Sequence, residues 1–435
     1  MSQAEPQGWT VRTGGRDDFT AVVETVGEAL LAPDERATSQ ARLSPLFEEN
    51  GFDRLLVAVE ADWPHRHRTT EDERVVGDGR VIGSVSSFPF QMTLPGGTRS
   101  VAGVTGVGVW PTHRRQGVLS ALMRQQLADV HARGESLAVL WASEGSIYGR
   151  FGYAPATSEY TGRLATSHTG LRPDAPRDPA LFVELTHASR ARADLELVHA
   201  AVTARQVGRL RRSPAFWDRA LRDLADDREG RSLLKAAVVH GMEGPVGYAL
   251  YRTRNRWEDA NPCSEVHVKE LLAVTPAAWT TLFEHLASRD LVARLVFDGM
   301  AGDDPAHFLL VDPQRLVTTY DDSLWVRLVD VRTALAERSY AAPVDLVLEV
   351  TDRHAPWNEG RWRLSADASG AACETTRDAP DVSLDVARLG AVHLGGNTLT
   401  GFLRNGLLVE HTPGAVAAWD AALFRPESPF CDQGF

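Results

Sequence analysis

Apolar positions along the chain switch repeatedly between a two-residue and a 3.6-residue period, the mark of strands alternating with helices. Trp9 to Thr13 predicts a short strand. Asp17 or Asp18 then caps a helix to about Leu31, with Val22, Val23, Val26 and Leu30 on one face. A polar loop is expected next, then a strand at Leu55–Val59 and a long β-rich stretch at Arg80–Phe90 behind a Gly-Asp-Gly turn.

The richest stretch runs from Ser100 to Pro155. Val101, Val104, Val107 and Val109 make a β-prone run broken by Gly103, Gly106 and Gly108, residues that favour a bulge or a close approach of another backbone or a ligand. Pro111 ends it. Arg114-Arg115-Gln116-Gly117 then leads into a helix from about Val118 to Ala132, whose apolar face is Leu119, Leu122, Met123, Leu127 and Val130. A strand, a basic glycine turn and a helix start together present free backbone N–H groups, and the arginines add charge suited to phosphate oxygens. The Walker pattern and the Rossmann fingerprint are both missing. Ser136–Ala142 reads as the next strand, followed by Ser143-Glu144-Gly145 and Ile147 to Tyr153.

Two further α/β patterns follow. From about Leu181, strands near Leu233–His240, Gly247–Arg252, Val266–Val274 and Leu291–Phe297 surround a helix at Ala277–Ala287, repeating the first order of elements. Ala273-Val274-Thr275-Pro276 stands where Val109-Trp110-Pro111 stood, with no Arg-Arg-x-Gly after it. From about Asp312, strands at Leu324–Val329, Val344–Val350 and Arg361–Leu364 mix with helices near Val331–Arg338, Leu384–Leu394 and Ala415–Leu423. The expected division is residues 1–162, 163–312 and 313–435, in keeping with a length that exceeds one ordinary core.

Composition narrows the function classes. A net charge of −12 disfavours non-specific nucleic-acid binding and suits a cationic ligand. Cys263, Cys373 and Cys431 form neither a zinc spacing nor a disulfide framework. With no signal-peptide pattern at the start and no bilayer-length apolar run, a cytoplasmic protein that does not engage membranes is expected.

Arg114-x-x-Gly117 behind a Val-x-Val strand resembles the acetyl-CoA motif of GNAT (GCN5-related) N-acetyltransferases. The longer strings VGVWPTHRRQGVLSALM and LWASEGSIYGRFGYAPAT resemble the Eis (enhanced intracellular survival) acetyltransferases of actinobacteria, and the likeness runs nearly the whole chain. Leu119 stands where the general motif has a small residue, as in Eis-type sequences. The resemblance implies an α/β (α+β) fold class: tandem GNAT folds, each a mixed, splayed sheet with flanking helices, then a sterol-carrier-protein-like α/β domain. The first copy would bind acetyl-CoA, the second would lack the phosphate loop, and the third, carrying DVARLGAVHLGG, would deliver the C-terminus.

The resemblance also assigns residues. The backbone of Val107, Gly108 and Val109 would bind the pantetheine arm. Arg115, Gln116, Gly117, Val118, Leu119 and Ser120 would cradle the pyrophosphate, and Ser143 and Glu144 would add cofactor contacts. Tyr148 would be the general acid and the carboxylate of Phe435 the general base, although Gly434 stands where the family has an acidic residue. Trp217, Asp322 and Tyr340 match substrate-pocket positions. The implied partners are acetyl-CoA as co-substrate and a cationic amine such as an aminoglycoside, in a homo-oligomer, hexameric by analogy, with no metal. A lysine acetyltransferase on the same scaffold, and a non-catalytic acyl-CoA or lipid binder, are the alternatives; Tyr148 and Phe435 favour catalysis.

Overall fold

The computed structural model describes residues 8–32, 36–61, 74–77 and 79–435. Position 78 of the expected Gly-Asp-Gly turn and positions 33–35 of the expected loop lie outside them. The first elements are β1 (Trp9–Thr13), α1 (Phe19–Leu30), α2 (Arg36–Asn50), β2 (Leu56–Glu60), β3 (Val75–Val76), β4 (Gly79–Leu94), β5 (Gly97–Val109), α3 (Val118–Ala132), β6 (Leu137–Trp141), α4 (Gly145–Tyr148) and β7 (Ala154–Pro155). The helix α2 lies in the stretch read as a polar loop. Its internal Pro45 and its mixed polar composition hide the helical period, and it forms because Leu46 and Phe47 bury against Phe19 and Phe88.

Next come β8 (Ser158–Ala165), β9 (Phe182–His187), α5 (Arg192–Thr203), α6 (Pro214–Leu221), β10 (Lys235–Gly241), β11 (Gly244–Arg254), β12 (Trp257–Glu258), β13 (Asn261–Pro262), β14 (Ser264–Ala273), α7 (Pro276–Ala287), β15 (Val292–Met300), α8 (Ala306–Leu309) and β16 (Val317–Asp322). The chain continues through β17 (Leu324–Leu328), α9 (Val331–Ala336), β18 (Val344–Thr351), β19 (Gly360–Asp367), β20 (Gly370–Thr375), β21 (Val382–Asp385), α10 (Val386–Val392), α11 (Leu399–Arg404), β22 (Leu408–Glu410) and α12 (Ala415–Leu423).

Three main sheets result, with orders β1-β2-β4-β5-β6-β17-β7, β16-β8-β15-β14-β11-β10-β9 and β20-β19-β18-β21-β22; β3 pairs with β4. The first two share a plan. In each, one parallel pair, β5 with β6 and β14 with β15, is bridged by a helix, α3 or α7, within an otherwise antiparallel sheet. The sheets cross the expected boundaries. β8 spans position 162 and lies in the second sheet, while β17, from beyond position 313, pairs along β6 in the first.

Burial explains that exchange. Leu324, Val326 and Leu328 on β17 are fully buried in a core that runs from Phe88, Phe90 and Val139 into Leu346, Leu348 and Trp419 of the third unit. Arg327, on the opposite face, is also fully buried, forked onto Asp352 at 2.7 and 2.8 Å and donating from Nε to the Phe151 carbonyl. The other face of the first sheet packs on α3 through Ile82, Val85, Val104, Leu122 and Leu127.

Candidate active site

The site begins where two strands part. β5 and β6 pair in parallel only at Ala102↔Ala138 and Gly103↔Val139. Farther along, β5 stays with β4 up to Val109, but its register shifts between Ser84 and Ser86. At that bulge Gly106 takes φ +59°, and its carbonyl accepts from the Ser84 hydroxyl at 2.8 Å. The bulge turns β5 away from β6 and leaves an open strand edge, a row of main-chain donors and acceptors ready for an amide-bearing ligand.

A cavity of about 420 Å³ fills the gap, lined by Val107, Gly108, Val109, Arg114, Arg115, Val118, Leu119, Ser120, Ser143, Glu144 and Tyr148. Most of the expected cofactor positions therefore meet in one place. Gln116 and Gly117 belong to the same turn without lining the cavity: the Gln116 side chain donates to the Thr112 carbonyl, and Gly117 takes φ +86° at the helix start. Arg115 is also left-handed, at φ +64°, so the turn is wound tightly enough to converge its amides. The N–H groups of Val118, Leu119 and Ser120, in the first turn of α3, have no intrahelical acceptor. With Arg114 and Arg115 exposed beside them, the turn can hold a diphosphate. Sequence reasoning missed Ala29, Leu30, Ile147 and Arg150 on the same walls; Ala29 and Leu30 reach the cavity from the far end of α1, a tertiary approach with no local signature.

Tyr148 closes the inner wall, 6% exposed, its ring edge-on to Tyr153 at 6.3 Å. Burial raises its hydroxyl pKa, Ser143 pulls it back by hydrogen bonding, and the Glu144 carboxylate raises it again. The phenol thus stays protonated well above neutral pH.

The C-terminal segment threads between the first two units to the point of parting. The Phe430 N–H donates to the Val207 carbonyl at 2.9 Å, Cys431 is fully buried, and the Trp141 indole donates to the Gln433 carbonyl at 2.9 Å. Asp432 is held by Arg209 at 2.6 Å and Arg212 at 3.5 Å, while Arg212 also forks onto Glu270. Burial pushes the Asp432 carboxyl up, but the two guanidiniums outweigh it and hold it well below the usual range. His199 completes this group, within 4.8 Å of both carboxylates, whose charge Arg209 and Arg212 already balance. The segment ends with the Phe435 ring on Phe90, 4.8 Å between centroids, and Phe90 in turn packs on Phe216 of α6 at 4.9 Å. A Cβ on Gly103 would lie 3.1 Å from the Phe435 ring, so the last residue sits at the position where β5 and β6 separate.

The three expected substrate-pocket residues do not gather in one cavity. Trp217 is 4% exposed among Leu195, Val198 and Leu250, and the cation over its ring is Arg212, at 5.0 Å. Tyr340 packs with the third unit and donates to the Leu335 carbonyl at 2.9 Å. Both fill cores because their apolar rings gain more by burial than by lining a wet cleft. Asp322 differs. It is exposed, accepts from the Trp325 indole, and the Trp325 ring comes within 3.2 Å of a Cβ built on Gly145, beside the Glu144 turn. Asp321, its neighbour, pairs across the sheet with Glu159. Burial, then Asp321, Asp322 and Asp432, push the Glu159 carboxyl up to about 7. Carboxylates thus cluster around Glu159 beside the tail residue Asp432.

An acetyltransferase (GNAT) domain family matches residues 10–156, a second acetyltransferase (GNAT) domain family matches 208–332, and a sterol carrier protein domain family matches 331–432. An uncharacterized N-acetyltransferase of Streptomyces coelicolor is 42% identical over 359 residues, covering 81% of this chain and 86% of its own. The N-acetyltransferase Eis of Mycobacterium tuberculosis is 32% identical, covering 75% of this chain and 80% of its own. The crystal structure of Eis1 from Mycobacterium abscessus superposes with a TM-score of 0.80 at 31% identity, covering 98% of this chain and 100% of that one. Two tandem GNAT folds and a C-terminal sterol-carrier-like domain account for all three sheets. The chain is an acyltransferase, and it belongs to the Eis-like GNAT N-acetyltransferases.

Proposed function

We propose that the chain transfers the acetyl group of acetyl-CoA directly to an amine of a small polycationic acceptor, aminoglycosides among the candidates. GNAT acetyltransferases use acetyl-CoA as co-substrate, and the turn at Arg115–Ser120, the open edge at Val107–Val109 and the Ser143–Glu144 loop suit its diphosphate and amide-bearing arm. The amine nitrogen bonds to the acetyl carbon and the carbon–sulfur bond breaks. The Phe435 carboxylate takes the proton from nitrogen and the Tyr148 hydroxyl gives one to the departing sulfur. Asp321 and Asp322, joined by Glu159 as it ionises near pH 7, supply the negative field that draws a cationic acceptor to the tail.

The observation carrying this reading is the convergence of Tyr148, the basic turn and the parted strands on one cavity, with the Phe435 ring at the point of parting. Appending one glycine after Phe435 tests it. The ring keeps its seat while the carboxylate moves by about 3.5 Å, beyond hydrogen-bond reach of its former position. Released thiol, measured with diverse amines, should fall by about 10²–10⁴ with acetyl-CoA affinity unchanged. Wild-type turnover in the extended chain would remove the carboxylate from the mechanism. Acetylation of lysine peptides but not of polyamines would replace the acceptor class.

A further inference from the structure

A second cavity of about 420 Å³ opens on the other side of the tail, between α6 and the face of the second sheet. Its lining carries six cationic side chains, Arg212, Arg219, Arg222, Arg231, Arg252 and Lys269, against four carboxylates, Asp227, Glu270, Asp298 and Asp432. Pairing uses the carboxylates unevenly. Glu270 and Asp432 are taken by Arg212, and Asp227 is shared by Arg42 and Arg222. Arg252 pairs with Asp223, Arg231 with Glu229 through one terminal nitrogen, and His267 with Glu265, three acceptors that do not line the cavity. Asp298 has no arginine bonded to it among the described residues. Arg219 has no carboxylate partner there either, and it stands close enough to Arg222 for the two positive charges to oppose each other.

A second observation points to a missing ligand. Gln433 is 5% exposed and lines the cavity, yet neither its amide nitrogen nor its amide oxygen has a hydrogen-bond partner. The Nε of Arg231, on the same walls, is also buried without an acceptor, and that of Arg222 faces only the Asp227 carboxylate at 3.8 Å, too long for a hydrogen bond. Buried donors left unpaired cost free energy, and so do crowded guanidiniums; a planar or tetrahedral oxyanion satisfies both at once.

We propose that this cavity binds an oxyanion, phosphate or carboxylate, through Arg219 and Arg231 with the Gln433 amide as a further donor. The anion is either free in solution or carried by the acceptor as a group remote from its reacting amine; the second source rests on the acetyl-transfer reading, the site itself does not. Because Gln433 lies two residues before Phe435, an occupied site also braces the end of the tail.

Calorimetry with inorganic phosphate tests the site on protein saturated with CoA, which keeps the diphosphate turn of the first domain filled. Saturable binding is expected, at least tenfold weaker in Arg219→Gln and within threefold of wild type in Arg219→Lys. No saturable heat in the wild type, or equal affinity in a folded Arg219→Gln, overturns the proposal. Kinetics with glucosamine and glucosamine 6-phosphate separate the sources. An acceptor-borne anion gives the phosphorylated amine a KM at least tenfold lower, a preference erased in Arg219→Gln and competed by phosphate. A free anion changes kcat/KM for both amines by one factor. Failure of both amines and of polyamines to be acetylated would sink the transfer reading and leave the calorimetric result standing.

Discussion

Gly103→Ala probes the contact between the tail and the splayed sheet. A Cβ at this position would lie 2.3 Å from Cε2 and 2.4 Å from Cδ2 of Phe90, and 3.1 Å from the Phe435 ring. Carbon atoms pack at about 3.5–4.0 Å, so Phe90 must retreat by more than ~1 Å. It has little room, because it is wedged between Phe216 at 4.9 Å and Phe435 at 4.8 Å and meets Phe88 at 6.3 Å. Overpacking of this kind costs about 1–3 kcal/mol, and the softer side of the wedge is the tail, whose ring is only half-buried. A displacement of about 1 Å at a reacting group costs up to about 10² in rate, so kcat should fall about tenfold to a hundredfold. Acetyl-CoA affinity should hold, since the walls of the cavity proposed for it begin beyond the last paired residues of β5 and β6. Thiol release at saturating acetyl-CoA and calorimetry with the coenzyme give the two numbers. Phe90→Leu in the same chain should recover part of the rate by making room for the methyl group. Unchanged kcat in the folded variant, or loss of rate and coenzyme affinity in equal measure, would refute the reasoning.

Three other outcomes are expected. Tyr148→Phe keeps the buried ring and should lower kcat by about 10²–10⁴ with acetyl-CoA affinity within a few-fold of wild type by calorimetry. Glu159, pushed from 4.5 to about 7, keeps its proton to higher pH folded than unfolded, so its contribution to stability is intact below 4.5 and lost as pH climbs through 7. Glu159→Gln should therefore raise the urea midpoint at about pH 8 and leave it unchanged near pH 4, and equal shifts at both would refute the assignment. Arg327→Met leaves the buried Asp352 carboxylate without its forked partner, an expected loss of about 3–5 kcal/mol in urea unfolding; a loss under about 1 kcal/mol would mean that Asn358 and the amides near Asp352 carry the charge unaided.

The geometry of the first cleft was legible because it is written locally. Glycines at 103, 106 and 108, two arginines and a glycine at a helix start announce a strand bend and a basic turn of free amides within twenty residues. The echo at Thr275-Pro276 was equally readable: the Thr275 hydroxyl caps α7 and Pro276 supplies no N–H, so the repeat has no cradle. Long-range choices were not. A two-residue period marks Leu324–Leu328 as a strand without saying which sheet it enters, and only the shared core with Phe90 and Leu346 decides that. Trp217 and Tyr340 read as pocket residues by position, yet an aromatic ring in sequence looks the same whether it faces a ligand or a core. The tail was harder still, since Cys431, Asp432 and Gln433 follow no period and are held by contacts with residues hundreds of positions away.

The placement of β17 bears on biosynthesis. A nascent polypeptide emerging through residue 300 has both halves of the first cleft but lacks the strand that separates β6 from β7, and β6 is left with a bare edge. Unpaired apolar edges invite pairing with other chains. The first domain to be synthesised therefore cannot finish folding as soon as it is made, and must wait for the start of the third. Nicked or prematurely terminated products lacking Leu324–Leu328 should be both inactive and prone to aggregate, so engineering that isolates the amino-terminal unit must carry this strand along.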